Sequence, residues 1–335
     1  MKNVLKIGLA IFSLLSVHGD DLPKEPPQEV VKPIPTPPPE APWFTGPLLA
    51  PPGTVTPFGS YEIEPYIYFT TTTGIYNKNW KIVNSSHNFF SLNPELFLYF
   101  GLTSWLDINI ITQFFYNTVS NQNSVNFGDL QIGLDFQLLE PGFTPYFPGI
   151  KLTVRETFPT GPYEKLHPKK LLTDLSGAGT YGSTFNLVFY DVYHLWKNHF
   201  LTTTYSAAYT VTTPVKVHGF NAYGGGFNAN GTALPGNTFQ AIISFELSLS
   251  QNFGLALDNV YTHVNKTKFF GSPGTTTTGA ISSNSLPSSE QLSFAPAIEY
   301  NFNSTTGIAI GAWVTALGRN SPIFNSAIID LVLVF

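Results

Sequence analysis

Apolar and polar residues alternate along most of the chain beyond Ser60. In the clearest stretch, Phe239 to Ser250, apolar side chains occupy the odd positions and mostly polar ones the even positions. Because successive side chains of a β-strand point to opposite faces, this alternation predicts strands with one apolar and one polar face. Twelve strands are predicted, near residues 60–72, 89–101, 105–118, 126–139, 146–158, 180–193, 198–212, 238–250, 251–265, 290–302, 305–317 and 323–335.

The connections between these predicted strands alternate in length. Those after the even-numbered strands are short, as at Glu140-Pro141-Gly142. Long polar connections follow strands 1, 5, 7 and 9 and cover residues 73–88, 159–179, 213–237 and 266–289. Membrane β-barrels combine short periplasmic turns with longer outer loops. The pattern therefore predicts an all-β, antiparallel up-and-down transmembrane barrel of about 12 strands over residues 58–335, with both termini in the periplasm.

The last of these strands ends in an aromatic residue. Ile329, Leu331, Leu333 and Phe335 share one apolar face, while Asp330 lies on the other. A final amphipathic strand with a terminal aromatic resembles the closing strand of bacterial outer-membrane barrels. That resemblance implies that Phe335 is an assembly signal and that the outer-membrane assembly machinery is a partner.

The composition supports a membrane location. Charged residues make up 11% of the chain, against about 25% in typical soluble domains, and aromatic residues make up 15%. The shortage of charge is expected where an outer belt faces lipid, so outer-membrane lipid is a predicted partner. The net charge of −5 argues against nucleic acid as a partner.

The first residues fit a secretory signal. Lys2 and Lys6 precede a short apolar stretch, Ile7 to Val17, and Val17-His18-Gly19 offers a small-residue cleavage site. We expect residues 1–19 to be a signal peptide, which places the mature chain in the cell outer membrane.

Residues 20–57 are rich in proline, including Pro37-Pro38-Pro39. Such a sequence favours extended polyproline II structure and cannot join a sheet ladder, so we interpret it as a stiff periplasmic linker. Its apolar end, Trp43 to Leu49, is unusual for a solvated spacer. The alternative is that this end enters the barrel mouth as a plug, and the sequence leaves both interpretations open.

Charged residues fall on the face of the predicted strands opposite the apolar stripe, except Glu156 and Asp191. These two are assigned to strand ends, and a bulge in either strand would explain them equally well. A charge facing lipid at the membrane midplane costs about 2 to 4 kcal/mol, so the charged face is assigned to the lumen. Several aromatics share that face and either fill a narrow barrel or shape a solute path. The predicted lumen-lining residues are Glu62, Glu64, Tyr66, Tyr68, Glu95, Phe97, Tyr99, Asp107, Phe115, Asp129, Asp135, Lys151, Arg155, Tyr190, Glu246, Asp258, Glu299 and Asp330.

The sequence contains no recognisable catalytic pattern. The seven histidines show no spacing typical of a metal site, and the chain has no cysteine. It also lacks a Gly-x-Ser-x-Gly elbow and a His-x-Ser pair on a strand. No catalytic residues, metal or cofactor are therefore predicted, and a barrel-embedded hydrolase is disfavoured.

Several short motifs are more specific than alternation. They are Phe127 to Leu139 with its Gly128-Asp129 pair, Ile150 to Arg155, Phe158-Pro159-Thr160-Gly161, Pro296 to Tyr300 and Gly307 to Gly311. Together they resemble the outer-membrane transporter family named for the meta pathway of phenol degradation. The resemblance implies passive uptake of small, often aromatic or hydrophobic compounds.

Two functional hypotheses follow. The first is an outer-membrane channel that admits small solutes by diffusion, with hydrophobic or aromatic compounds as the class that the resemblance implies. The alternative is a non-conducting surface barrel whose long outer loops bind a host, phage or matrix partner.

Overall fold

The alternating stretches form β-strands in the computed structural model, which describes residues 42–142 and 147–335. The predicted signal peptide and residues 20–41 lie outside these described residues. The barrel strands are β1 (Tyr61–Tyr76), β2 (Ile82–Thr103), β3 (Leu106–Val119), β4 (Gln122–Phe127), β5 (Leu130–Leu139), β6 (Gly149–Phe158), β7 (Gly182–Trp196), β8 (His199–Thr212), β11 (Thr238–Ser248), β12 (Phe253–Val264), β14 (Ser289–Asn303), β15 (Thr306–Arg319) and β16 (Ser321–Val334). Three shorter strands, β9 (Val215–His218), β10 (Asn230–Leu234) and β13 (Lys268–Ser272), lie in the long connections.

The barrel strands close into one antiparallel sheet. Each pairs with its neighbours in chain order, and β1 pairs with β16 to complete the ring. Because β4 and β5 follow each other along β3, they occupy one position in the wall. The prediction of an all-β, antiparallel, 12-stranded barrel is confirmed.

Two predicted segments differ from the structure. The predicted outer loop 73–88 is mostly strand, because β1 and β2 continue as a paired hairpin beyond a register shift at Thr72/Gly74 and turn only at 77–81. The predicted strand 126–139 is broken at Gly128-Asp129. At this break the Asp129 carboxylate accepts hydrogen bonds from the N–H groups of Gly161 (2.9 Å) and Ala178 (2.7 Å), which tie the 159–181 connection to the wall.

Alternation sorts the side chains between two environments. On β11, Ile243 and Phe245 are exposed on the outer face, while Ser244 and Glu246 are buried on the inner face. A closed sheet satisfies its backbone hydrogen bonds internally, so an apolar outer belt is compatible with a bilayer. One acid of the outer face, Glu156, accepts a hydrogen bond from the Ser183 hydroxyl (2.6 Å) close to the end of β6.

The barrel closes between Tyr61 and Phe335. The Tyr61 N–H donates to the Phe335 carbonyl oxygen (3.1 Å), and the Phe335 N–H donates to the Tyr61 carbonyl oxygen (2.9 Å). The two rings stack with centroids 5.0 Å apart. The terminal aromatic therefore joins the first and last strands at one rim.

The long connections carry structure of their own that alternation did not predict. Strands β9, β10 and β13 form a three-stranded sheet around a small cluster of Val215, Val217, Tyr223 and Ala233. The Tyr223 hydroxyl donates to the Ala178 carbonyl oxygen (2.6 Å), and burial raises the pKa of this phenol. Within the residues that the structure describes, no helix is long and apolar enough to span a membrane.

The seam geometry predicts an assembly defect in Phe335→Ala. Loss of a stacked aromatic pair removes about 0.5 to 1.5 kcal/mol beyond the lost area, whereas the backbone bonds of the seam stay available. We expect slower and less complete folding into detergent, measured by the heat-modifiable band on a gel. Phe302→Ala is the matched control, because Phe302 packs against Tyr300 away from the seam. If Phe335→Ala and Phe302→Ala lose the same fraction of folded protein, the aromatic pair at the seam has no particular role in assembly.

Candidate functional site

Residues 42–57, hereafter the inserted segment, lie inside the barrel against its inner wall. At its start the Thr45 N–H donates to Glu299 Oε2 (3.3 Å), and the Thr45 hydroxyl donates to Asn301 Oδ1 (2.9 Å). The Asn301 side-chain amide donates to the Trp43 carbonyl oxygen (3.0 Å). Three polar bonds therefore fix the first described residues on β14.

The middle of the inserted segment fills the interior with apolar side chains. Leu48 is 2% exposed and packs among small or apolar residues of the inner wall, namely Tyr66, Ala256, Ala297, Ala309 and Ile328. Ala50 packs on Ile242 and Val260. Beside these contacts, the Leu49 N–H donates to Asp258 Oδ2 (3.1 Å).

The end of the inserted segment continues along the wall. Lys151 on β6 donates to the Thr54 carbonyl oxygen (3.4 Å). The Val55 N–H donates to Gln137 Oε1 on β5 (3.0 Å), and the Thr56 N–H donates to Asp107 Oδ2 on β3 (2.8 Å). With Gly53 against the Tyr190 ring on β7, the inserted segment contacts β14, β12, β11, β7, β6, β5 and β3 in their order around the barrel. It is a curved lining of the wall that covers most of its circumference.

One group of interior acids contacts the start and middle of the inserted segment. Glu246, Asp258 and Glu299 lie on adjacent strands and are buried. Glu246 Oε2 accepts a hydrogen bond from the Thr202 hydroxyl (2.6 Å). A buried carboxylate without donors is costly, so these acids and the N–H groups of the inserted segment stabilise each other.

In a second group of interior residues, basic side chains neutralise an acid. Lys151 and Asp135 are 1% and 2% exposed, with 3.5 Å between Nζ and Oδ2. The Asn109 side-chain amide donates to Asp135 Oδ2 (3.2 Å), and Arg155 Nε donates to Asn109 Oδ1 (3.3 Å). Gly133 leaves room for this network, since a Cβ there would lie 2.6 Å from Asn109 Oδ1.

The third group of interior acids, Glu62 and Glu64, borders an open cavity of about 510 Å³. On β1 and β2 its wall is aromatic and acidic, formed by Glu62, Glu64, Tyr66, Tyr68, Phe97 and Tyr99. On β7, β8 and β11 it carries hydroxyl and amide side chains, including Thr184, Asn186, Thr204, Ser206, Thr210 and Gln240. The inserted segment borders the same cavity through residues 44–54.

The other predicted lumen residues take various positions. Arg155, Tyr190 and Glu246 also border the cavity. Asp330 is buried on β16 opposite Tyr66, and Glu95 is half-buried on β2 beside Tyr66. Phe115 is half-buried on β3 near Gly128, and the buried Asp129 holds the 159–181 connection.

Sequence reasoning missed the apolar and neutral polar residues that receive the inserted segment. Ile242, Val260 and Ile328 face inward although they are apolar, and Gln137 and Asn301 bind the segment without charge. A signal was present, because Ala241-Ile242-Ile243 interrupts the alternation of β11. Among the described residues, no group of three or more His, Asp or Glu side chains is arranged to hold a metal ion.

Comparisons with known proteins bear on the fold. No protein-family model and no curated protein matches the chain. An outer membrane channel from Pseudomonas putida F1 is similar in structure, with a TM-score of 0.64, 16% identity, and coverage of 85% of this chain and 99% of that one. The chain thus has the fold of an outer-membrane β-barrel.

Two further solved structures resemble the chain more weakly. The NanC porin has 9% identity and a TM-score of 0.39, with coverage of 81% of this chain and 98% of that one. The β domain of the Bordetella autotransporter BrkA has 8% identity and a TM-score of 0.43, with coverage of 82% of this chain and 98% of that one.

The buried ion pair predicts an asymmetric mutational response. Lys151→Met leaves the Asp135 carboxylate buried without its cation, which costs about 3 to 5 kcal/mol of unfolding free energy. The double variant Lys151→Met with Asp135→Leu removes both charges, so we expect it to recover much of that loss. Urea unfolding of the purified barrel, followed by gel migration, measures both. A double variant less stable than Lys151→Met would contradict the pairing.

Proposed function

We propose that the protein is an outer-membrane channel for passive uptake of small solutes. The closed barrel and its apolar outer belt support a membrane-spanning position. The polar interior and its cavity support a solute path.

We further propose that the inserted segment is the plug that controls this path. The observation that carries this proposal is its series of hydrogen bonds to β14, β12, β6, β5 and β3. Each of these bonds contributes about 0.5 to 1.5 kcal/mol, or somewhat more where the acceptor is charged. In this proposal the segment leaves the wall during transport while the barrel stays folded. In this proposal both termini face the periplasm, and residues 20–41 link the plug to that compartment.

The solute class proposed is small compounds with an aromatic or hydrophobic body. The aromatic side of the cavity supports this choice, because aromatic rings pack favourably on apolar solutes. Its rings are Tyr66, Tyr68, Phe97 and Tyr99. The short motifs that resemble those of the phenol-degradation transporter family support the same choice.

Removal of the plug is the first test. Deletion of residues 42–57 should raise single-channel conductance in planar bilayers and the permeability of proteoliposomes to small neutral solutes, because the wall loses its inner lining. The full chain, reconstituted at the same protein-to-lipid ratio and checked for heat-modifiable migration, is the control. If the folded deletion variant gives neither conductance nor flux, the channel function fails.

A disulfide offers a reversible test of the same plug. A Cβ on Gly307 would lie 3.1 Å from Thr45 Cβ, close to the distance of about 3.5 to 4.5 Å in disulfides. Because the chain has no cysteine, Thr45→Cys with Gly307→Cys forms a single defined pair. We expect oxidation to lower flux and reduction to restore it, with Thr45→Cys alone insensitive to redox. If oxidation of the cysteine pair leaves solute flux unchanged, the start of the segment does not move during transport.

The outer loops favour surface attachment as a second candidate function. Ile281 and Phe270, in the long connections, are 80% and 60% exposed, which is unusual for large apolar side chains in water. Deletion of residues 266–289 that abolishes attachment to cells or phage while flux stays unchanged would support this function.

A further inference from the structure

The aromatic wall of the cavity consists of Tyr66, Tyr68, Phe97 and Tyr99. The Tyr66 ring lies 5.8 Å from Tyr68 and 5.0 Å from Phe97 between centroids, and Phe97 lies 6.5 Å from Tyr99. All four rings border the cavity. They form a row of neighbouring rings across β1 and β2, of which Tyr66 and Tyr99 are buried.

Two carboxylates border the same side of the cavity. Glu62 and Glu64 lie two residues apart on β1, therefore on the same face of the strand, and both border the cavity. Glu64 is 6% exposed, and within residues 42–142 and 147–335 no N–H or O–H group forms a hydrogen bond with its carboxylate. Asp330, opposite Tyr66 on β16, adds a further acid nearby.

Arg155 borders the same cavity, and its Nε donates to Asn109 Oδ1. The buried Lys151 pairs with Asp135 across 3.5 Å. In the described part of the chain, no lysine or arginine nitrogen lies within 4.0 Å of the Glu62 or Glu64 carboxylate. Two neighbouring carboxylates need a shared proton or a cation, and among the described residues Arg155, the basic side chain that borders the cavity, forms no ion pair with either of them.

We propose that this side of the cavity binds a small organic cation, an ammonium group carried on an aromatic or apolar body. The ring faces attract the cation, and Glu62 and Glu64 supply its counter-charge. The hydroxyl and amide side chains across the cavity accept the remaining N–H bonds of the ligand. This inference rests on the proposed function as a solute channel and names the solute class.

Binding of three probes that share a phenyl ring tests the charge requirement. They are phenethylammonium, neutral 2-phenylethanol and anionic 3-phenylpropanoate, measured by calorimetry on the full chain in a non-ionic maltoside detergent. We expect phenethylammonium to bind about tenfold or more tightly than 2-phenylethanol, and 3-phenylpropanoate to bind least, because both rings and acids favour positive charge. Equal binding of the cation and the alcohol would overturn the inference.

Two variants separate the contributions of the acid and the rings. Glu64→Gln and Phe97→Leu should each reduce the preference for phenethylammonium over 2-phenylethanol several-fold, since one removes charge and the other a π-face. Glu140→Gln, in an exposed turn away from the cavity, should leave the preference unchanged. Variants are compared only after heat-modifiable migration shows a folded barrel. An unchanged preference in both cavity variants would also overturn the inference.

Flux through proteoliposomes distinguishes this inference from the proposed function. If 2-phenylethanol permeates and phenethylammonium has no advantage in binding or flux, the cation site fails and the channel stands. If none of the probes permeates after deletion of residues 42–57, the channel fails, whereas preferential binding of phenethylammonium would still support the site.

Discussion

Hydrogen bonds from the backbone of the inserted segment to carboxylates and amides of the wall determine how the barrel interior is arranged. The segment contains five prolines, at positions 42, 47, 51, 52 and 57, which cannot donate to a sheet ladder. Its remaining N–H groups therefore need acceptors, and the interior acids need donors. Thr45 with Glu299, Leu49 with Asp258 and Thr56 with Asp107 each pair one backbone donor with one carboxylate oxygen.

The interior charges divide into three groups with different consequences. Glu246, Asp258 and Glu299 lie against the inserted segment, and Asp135 lies against Lys151. Glu62 and Glu64 border the open cavity beside a row of aromatic rings. The acidic interior thus binds a segment through neutral backbone donors, and it also borders a cavity whose wall carries carboxylates beside aromatic rings.

The local alternation of apolar and polar residues predicts the strands of the barrel wall, but it does not predict which residues fill the interior. Period-two alternation predicts β11 as a strand because each residue needs only its own neighbours to choose a face. The position of Leu48 depends on five residues spread from Tyr66 to Ile328, and no spacing in the sequence brings them together. The alternation along each strand assigns Glu64 and Asp330 to the inner face, and both are buried. It does not predict that Ile242 and Val260 face inward, because apolar residues are expected to face lipid.

The hairpin and loop strands show a related limit. Residues 73–88 are polar, so their composition indicates a loop, yet pairing of Gly74 with Asn84 extends both strands. Strands β9, β10 and β13 are four or five residues long and pair only with each other, across the ranges Val215–His218, Asn230–Leu234 and Lys268–Ser272. These strands are stabilised by pairing between two separate connections, and the sequence pattern within one connection does not predict such pairing.

The most direct measurement of the central claim is thiol labelling of single cysteines in intact outer membranes, where the cysteine-free chain gives no background. Leu48 is 2% exposed and Phe58, just beyond the inserted segment, is 73% exposed. With a polar maleimide admitted to both sides of the membrane, Leu48→Cys should stay unlabelled while Phe58→Cys reacts. Equal labelling at the two positions would contradict an inserted segment bound to the inner wall.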